Sequence, residues 1–220
     1  MFSDIRADSS SRLVEVRQYL DFIKDNTPAL LNPVPTPIVT SRGLFFVHLY
    51  GVYERTVREG VFRAIRIMNK NNHRVLDYKP LLLSIVLHSQ CDAMAFSSKR
   101  NWEKRWNLFE TLEVNPTVTI SEELLPTDGH NLRFRQLEMI WKAFAIADPI
   151  VPNPAIGGRI KELVDNRNAI AHGNATALEI GARVTIADLY DKYNDISGYC
   201  SYFLNTIESH VLNKAYLNKK

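Results

Sequence analysis

Cysteine is scarce. The 220 residues contain two, Cys91 and Cys200, with no CxxC pair and no His/Cys cluster at metal spacing. That argues against a disulfide framework and a zinc site, and makes a reducing cytoplasm the expected setting. Long apolar runs are missing as well: "LLLSIVL" and "GLFFV" fall far short of the roughly 20 residues needed to span a bilayer. The opening "MFSDIRADSSSR" is polar and has no apolar h-region, so it does not read as a signal peptide. No internal repeat, low-complexity tract or glycine-rich phosphate loop is visible. Nor does charge of one sign dominate. A net charge of +3 and a pI near 8.8 permit an anionic partner such as RNA without demanding one.

What is present is the composition of a globular chain, 45% hydrophobic and 23% charged, long enough to bury a substantial core. The pattern is almost wholly helical. Residues Ser3 to Lys24 form an amphipathic helix with Ile5, Leu13, Val16, Leu20 and Ile23 facing inward. Prolines 28, 33, 35 and 37 then favour an extended connection. A long helix is expected from about Ser41 to Asn71, with Leu44, Val47, Gly51, Val57, Val61, Ile65 and Met68 as its core stripe. Further helices are expected at about 80–96, 98–112, 132–147 and 155–172, with 113–131 irregular and Gly173 as a helix stop. Thr185 and Asp188 have capping-box spacing at the head of a last helix that runs to about Leu212. The expected organisation is an N-terminal helical arm (1–27), a Pro-rich linker (28–40) and an all-α helical bundle (41–215) with a helical and irregular insertion.

One segment breaks the ordinary pattern. In "LVDNRNAIAHGNA" the helical neighbours of Arg167 are Leu163, Val164, Ile170 and Ala171, all apolar. A guanidinium there must be paired, or face a cavity or subunit interface, because an unpaired buried charge is very costly. Asn168 lies four residues before His172 and shares its face. Arg167 and His172 are about 140° apart around the helix, too far for a tight pair. A twofold axis between two copies would bring two such sets to one groove, so a dimer with a composite site is expected. The chemistry this group suits is RNA cleavage by the RNA's own 2′-hydroxyl, which needs no metal. Histidine moves protons near neutral pH, and arginine offers fork-like donors to phosphate. The bland reading is a salt-bridged surface arginine and a histidine compensating the helix dipole.

"RNAIAHG" fits the R-x4-6-H signature of HEPN domains, with a polar residue after the arginine. With "LFFVHLYGVYERTVREGVFRAI", "LRFRQLEMIWKAFAI", "RIKELVDNRNAIAHGNA" and a long final helix, the chain resembles the MAE-type HEPN-like nuclease family over most of residues 5–212. That resemblance implies an all-α HEPN-like fold and a metal-independent, dimeric endoribonuclease with no cofactor. It also implies the toxin or effector of a prokaryotic toxin–antitoxin or phage-defence system, with an antitoxin or other neutralising protein as partner. Arg167, Asn168 and His172 inherit the site roles. The alternative is a non-catalytic HEPN module for nucleotide binding or assembly.

Glu54, in an apolar stripe, either pairs with Arg167 or forms an i,i+4 pair with Arg58; Arg58 is also a candidate RNA contact from the cleft. "KRNWEKRW" mixes bases and tryptophans, so Lys99, Arg100, Trp102 and Arg105 are candidate RNA contacts. The favoured reading of Trp102 and Trp106 is an apolar helix face buried in the bundle. His48 reads as a satisfied core histidine, and His73, His130 and His210 lie in polar or terminal surroundings.

Overall fold

A computed structural model describes residues 1–28, 33–95, 102–127 and 131–218. Among these, helices α1 (Ser3–Asp25), α2 (Thr36–Lys70), α3 (Leu83–Val86), α4 (His88–Ala95), α5 (Trp102–Val114), α6 (Phe134–Ala143), α7 (Ala155–Ala171), α8 (Ala177–Gly181) and α9 (Ile186–Leu212) carry the fold. Extended pairing is confined to the isolated bridges Arg74 with Thr117 and Tyr78 with Leu217 among the described residues. The fold is all-α, as the periodicity predicts. No helix among those residues is long and apolar enough to cross a membrane.

The sequence signals explain the boundaries. All five inward positions predicted for α1 are buried, and Ser9 joins them, with its Oγ 2.9 Å from Thr56 Oγ1. The predicted capping box of α9 is present: Asp188 accepts the Thr185 N–H at 2.9 Å while Thr185 Oγ1 accepts the Asp188 N–H at 3.1 Å. The Thr185 N–H, and the Thr185 hydroxyl donating at 2.7 Å, hold the Asp188 carboxyl below its usual range.

Other boundaries differ from expectation. α2 begins at Thr36 rather than Ser41, because Pro35 and Pro37 serve a helix start. The Pro35 carbonyl accepts the N–H groups of Ile38 and Val39, and Pro37 sits in the first turn, where its missing N–H costs nothing. The single helix expected from Pro80 is a 3₁₀ turn (Pro80–Leu82) followed by α3 and α4, interrupted at Leu87. The short α8 was not anticipated; a Thr176–Glu179 capping box starts it.

The chain divides into two compact units: Met1–Glu59 with Asn131–Arg135 and Val151–Asn205, and Gly60–His130 with Gln136–Ile150 and Thr206–Lys220. In the first unit, α2 buries a broad face of Phe45, Phe46, Leu49, Tyr50, Val52 and Tyr53. Leu44, Val47 and Gly51 lie on the opposite side and are exposed, which corrects the first half of the predicted core stripe; Val57 in this unit is buried as expected. Ion pairs join α7 to α9, Arg159 with Asp195 at 2.9 Å and Lys192 with Glu162 at 3.3 Å. α8 approaches α2 so closely that a Cβ on Gly43 would stand 2.0 Å from the Ala177 carbonyl oxygen, and one on Gly181 1.8 Å from that of Val39. Only glycine fits either position.

The second unit buries Val61, Ile65 and Met68 of α2, as the stripe predicts. Its distinctive core is aromatic: Tyr78 and Tyr216 stack with centroids 6.0 Å apart, and His73 and His210 pack on Tyr216. His210 is buried rather than in the polar surroundings expected of it, and burial lowers its pKa. The irregular stretch after α5 is tied down by Asn69, whose side chain donates to the Ile120 carbonyl and accepts the Ile120 N–H.

Candidate active site

α7 ends where the sequence predicts. Gly173 adopts φ +71°, a left-handed conformation that favours glycine, and His172 becomes the C-cap with its N–H bonded to the Asn168 carbonyl at 3.0 Å. His172 is exposed at this end. Asn168, half-buried, therefore fixes the histidine's backbone through its main chain.

Its side chain fixes Arg167. The Arg167 Nη1 donates to Asn168 Oδ1 at 2.9 Å and to Asn131 Oδ1 at 2.8 Å. The guanidinium carbon lies 4.6 Å from the centroid of the Tyr50 ring, a cation–π contact. Arg167 makes no ion pair among the described residues, and both hydrogen bonds described for it use Nη1. The Nη2 and Nε donors have no hydrogen-bond partner among the described residues and offer the geometry an anion uses.

Tyr50 is the hub beneath the arginine. Its hydroxyl accepts the Leu132 N–H at 3.2 Å and lies in the field of the Glu54 carboxylate, while the Tyr53 hydroxyl donates to the Leu132 carbonyl at 3.0 Å. Burial, reinforced by the Glu54 charge, raises the Tyr50 pKa, so the phenol stays protonated. Two tyrosines of α2 thus grip Leu132 on both sides, and this sets Asn131 against Arg167. The arrangement can hold a phosphate on a fixed guanidinium with an imidazole nearby on the same helix end.

A family profile described as RiboL-PSP-HEPN matches residues 7–209. The chain belongs to the RiboL-PSP-HEPN family. The HEPN resemblance read from the segments is borne out at that level. Comparison with curated proteins and with solved structures returns no match.

In this RiboL-PSP-HEPN chain the structure brings Arg167, Asn168 and Glu54 together around Tyr50, with His172 at the end of the same helix. No ion pair joins Glu54 to Arg167 among the described residues; the charge of each acts on Tyr50 instead. Arg58 is exposed one turn beyond Glu54. Trp102 and Trp106 are 57% and 58% exposed, which overturns the reading of a buried helix face: α5 has no buried residue. Arg105 stacks on Trp102, 4.9 Å from the ring centroid. Lys99, Arg100 and His130 lie outside the described residues. His48 is half-buried, its ring against Tyr19.

Tyr50, Tyr53 and Asn131 escaped the sequence reading. Tyr50 stands four residues before Glu54, so a polar-tipped aromatic beside a carboxylate in an apolar stripe was the available signal. Asn131 carried none, since its role comes from a contact with a residue 36 positions away.

Proposed function

We propose that this chain is a metal-independent endoribonuclease that cuts RNA through the substrate's own 2′-hydroxyl. The observation that carries the reading is Arg167: held by Asn131, Asn168 and the Tyr50 ring, with Nε and Nη2 left for a phosphate. The 2′-oxygen attacks the neighbouring phosphorus and the P–O5′ bond breaks. The 2′-hydroxyl gives up its proton and the leaving 5′-oxygen takes one, so a 2′,3′-cyclic phosphate and a 5′-hydroxyl result. His172 moves one of these protons, Arg167 balances the crowded phosphate, and Asn168 couples the two.

Two copies complete the site. Leu44, Val47 and Leu178 are 42%, 38% and 39% exposed, an apolar surface in the unit that holds Arg167 and His172. A homodimer covering it accounts for that exposure. In this reading the protein acts as a toxin or phage-defence effector, and a partner protein restrains it, since an unrestrained ribonuclease damages its host.

The test is cleavage of tRNA and mRNA in EDTA, with product ends mapped. Wild type should yield cyclic phosphates, and His172→Ala or Arg167→Ala should lose about 10²- to 10⁴-fold in rate with the fold intact. Full cleavage by His172→Ala rejects the assignment. Nucleotide binding without a cyclic phosphate product favours a binding or assembly module. Val47→Glu should lower the mass seen by light scattering and the cleavage rate together.

A further inference from the structure

α7 carries more than the arginine and histidine. Gly158, Lys161, Asp165, Asn168 and His172 succeed one another at intervals of three or four residues, so they form one ridge of the helix. Lys161 and His172 lie within about 20° of each other around the axis and about 16 Å apart along it. The ridge therefore runs from the histidine, past the asparagine that holds Arg167, to the other end of the helix.

At that end it borders a groove of about 730 Å³, wholly within the first unit. Phe134 and Arg135 line it from the start of α6, and Gly157 and Gly158 from the first turn of α7. The Phe134 ring lies against Gly157, where an added Cβ would be 3.5 Å from it, while Gly158 meets nothing within 4 Å. Consecutive glycines leave bare helix backbone beside an aromatic ring, a slot for a flat group. The charge beside the ring is positive. Asp165 is held by Lys161 at 2.7 Å and Arg133 at 2.6 Å, so one carboxylate faces two cations. The exposed Arg135 adds a third cation and makes no ion pair among the described residues.

We infer that this groove holds one nucleotide of single-stranded RNA, its base on Phe134 and its phosphates toward Arg135 and Lys161, on the strand whose scissile phosphate meets Arg167. The inference rests on the ribonuclease reading and names how that site selects its substrate. An apolar wall beside multiple cations suits a base and its flanking phosphates, the combination that single-strand binders use. The separation along α7 makes this a nucleotide other than the one cut. Asp165 acts as a positioning residue: it sets Lys161 and Arg133 side by side without consuming the charge of either entirely.

The test is the anisotropy of a fluorescein-labelled single-stranded decaribonucleotide, bound to full-length His172→Ala protein to prevent turnover. Adding Phe134→Leu should weaken binding about tenfold, whereas Phe134→Tyr, which keeps the stacking face, should bind as the parent does. Arg135→Glu should weaken binding and flatten its dependence on salt. Circular dichroism melts of each variant identify any loss that comes from misfolding, and the surface position of Arg135 gives a variant that leaves the core untouched. Cleavage is measured in parallel with His172 intact. If wild type cuts RNA but Phe134→Leu and Arg135→Glu bind as the parent does, the groove assignment fails while the ribonuclease reading stands. If wild type does not cut but both variants lose binding, the ribonuclease reading fails and the groove stands as a nucleotide site. Unchanged binding together with no cleavage overturns both.

Discussion

Asp165 in the first unit sits between Lys161 and Arg133, half-exposed, with its carboxyl held below the usual range chiefly by the Lys161 hydrogen bond. His210 in the second unit is 5% exposed, packed on Tyr216, with a buried Nε2 that has no hydrogen-bond partner among the described residues. The first unit spends its polar groups on charge networks along α7, where a substrate could use them. The second encloses His210 among aromatic rings, and burial lowers its pKa. Asp165 and His210 thus show two treatments of an ionisable group, one paired at the surface and one buried without a partner among the described residues, and the difference can be tested.

The largest effect should come from the α8–α2 approach. Gly181→Val would drive a side chain into the Val39 carbonyl, backbone against which nothing can yield, and should cost the first unit about 3 kcal/mol. Hydrogen exchange at α8 and α9 would register it; an unchanged exchange pattern would refute the close approach. In the second unit Tyr216→Phe should cost about 1 kcal/mol, because the hydroxyl bonds the Asn71 side chain at 3.2 Å while the ring contacts survive. All three tryptophans, Trp102, Trp106 and Trp141, belong to the second unit, so their emission reads that unit alone.

Acid should act on the two units in different windows. His210 has a folded pKa below its ordinary 6.5 because of burial, so the unfolded chain takes up the proton first. Its contribution to stability is complete above pH 6.5 and is lost as pH falls toward the folded value. The tryptophan-monitored denaturation midpoint should therefore fall between pH 7 and 5.5, and His210→Phe should flatten that slope; a slope that persists in the variant would point to another group, His73 being the nearest alternative. Asp165 works in the same sense at lower pH: its contribution is complete above 3.8 and disappears as pH falls through its depressed folded value. The smallest effect should be Asp165→Asn at pH 7, within about 1 kcal/mol, since both of its ion pairs are well exposed to solvent.

Local signals carried the parts of the fold that short-range physics decides. The inward face of α1, the Thr185–Asp188 box and the Gly173 stop each follow from residues within one or two turns. The motif at Arg167, Asn168 and His172 was legible for the same reason, being one helix end. What the sequence could not reveal came from packing between distant segments. Leu44, Val47 and Gly51 repeat as a core stripe should, yet Phe45, Phe46, Leu49 and Tyr53 supply a wider apolar face that takes the core instead. Trp102 and Trp106 have the spacing of a buried pair and are exposed, because spacing defines a face without saying that anything covers it. Prolines 35 and 37 read as an extended chain until the helix that they open is seen.

The ridge from Gly158 to His172 also constrains what kinds of genetic change the segment tolerates. Substituting one residue on it alters one contact. Deleting or inserting a single residue between Lys161 and His172 turns everything beyond it by about 100° and shifts it about 1.5 Å, which sends the groove and the histidine to different sides of the helix. The length of this stretch is therefore as much a part of the proposed site as its letters, and related chains that keep the proposed function should vary here by replacement and not by gaps.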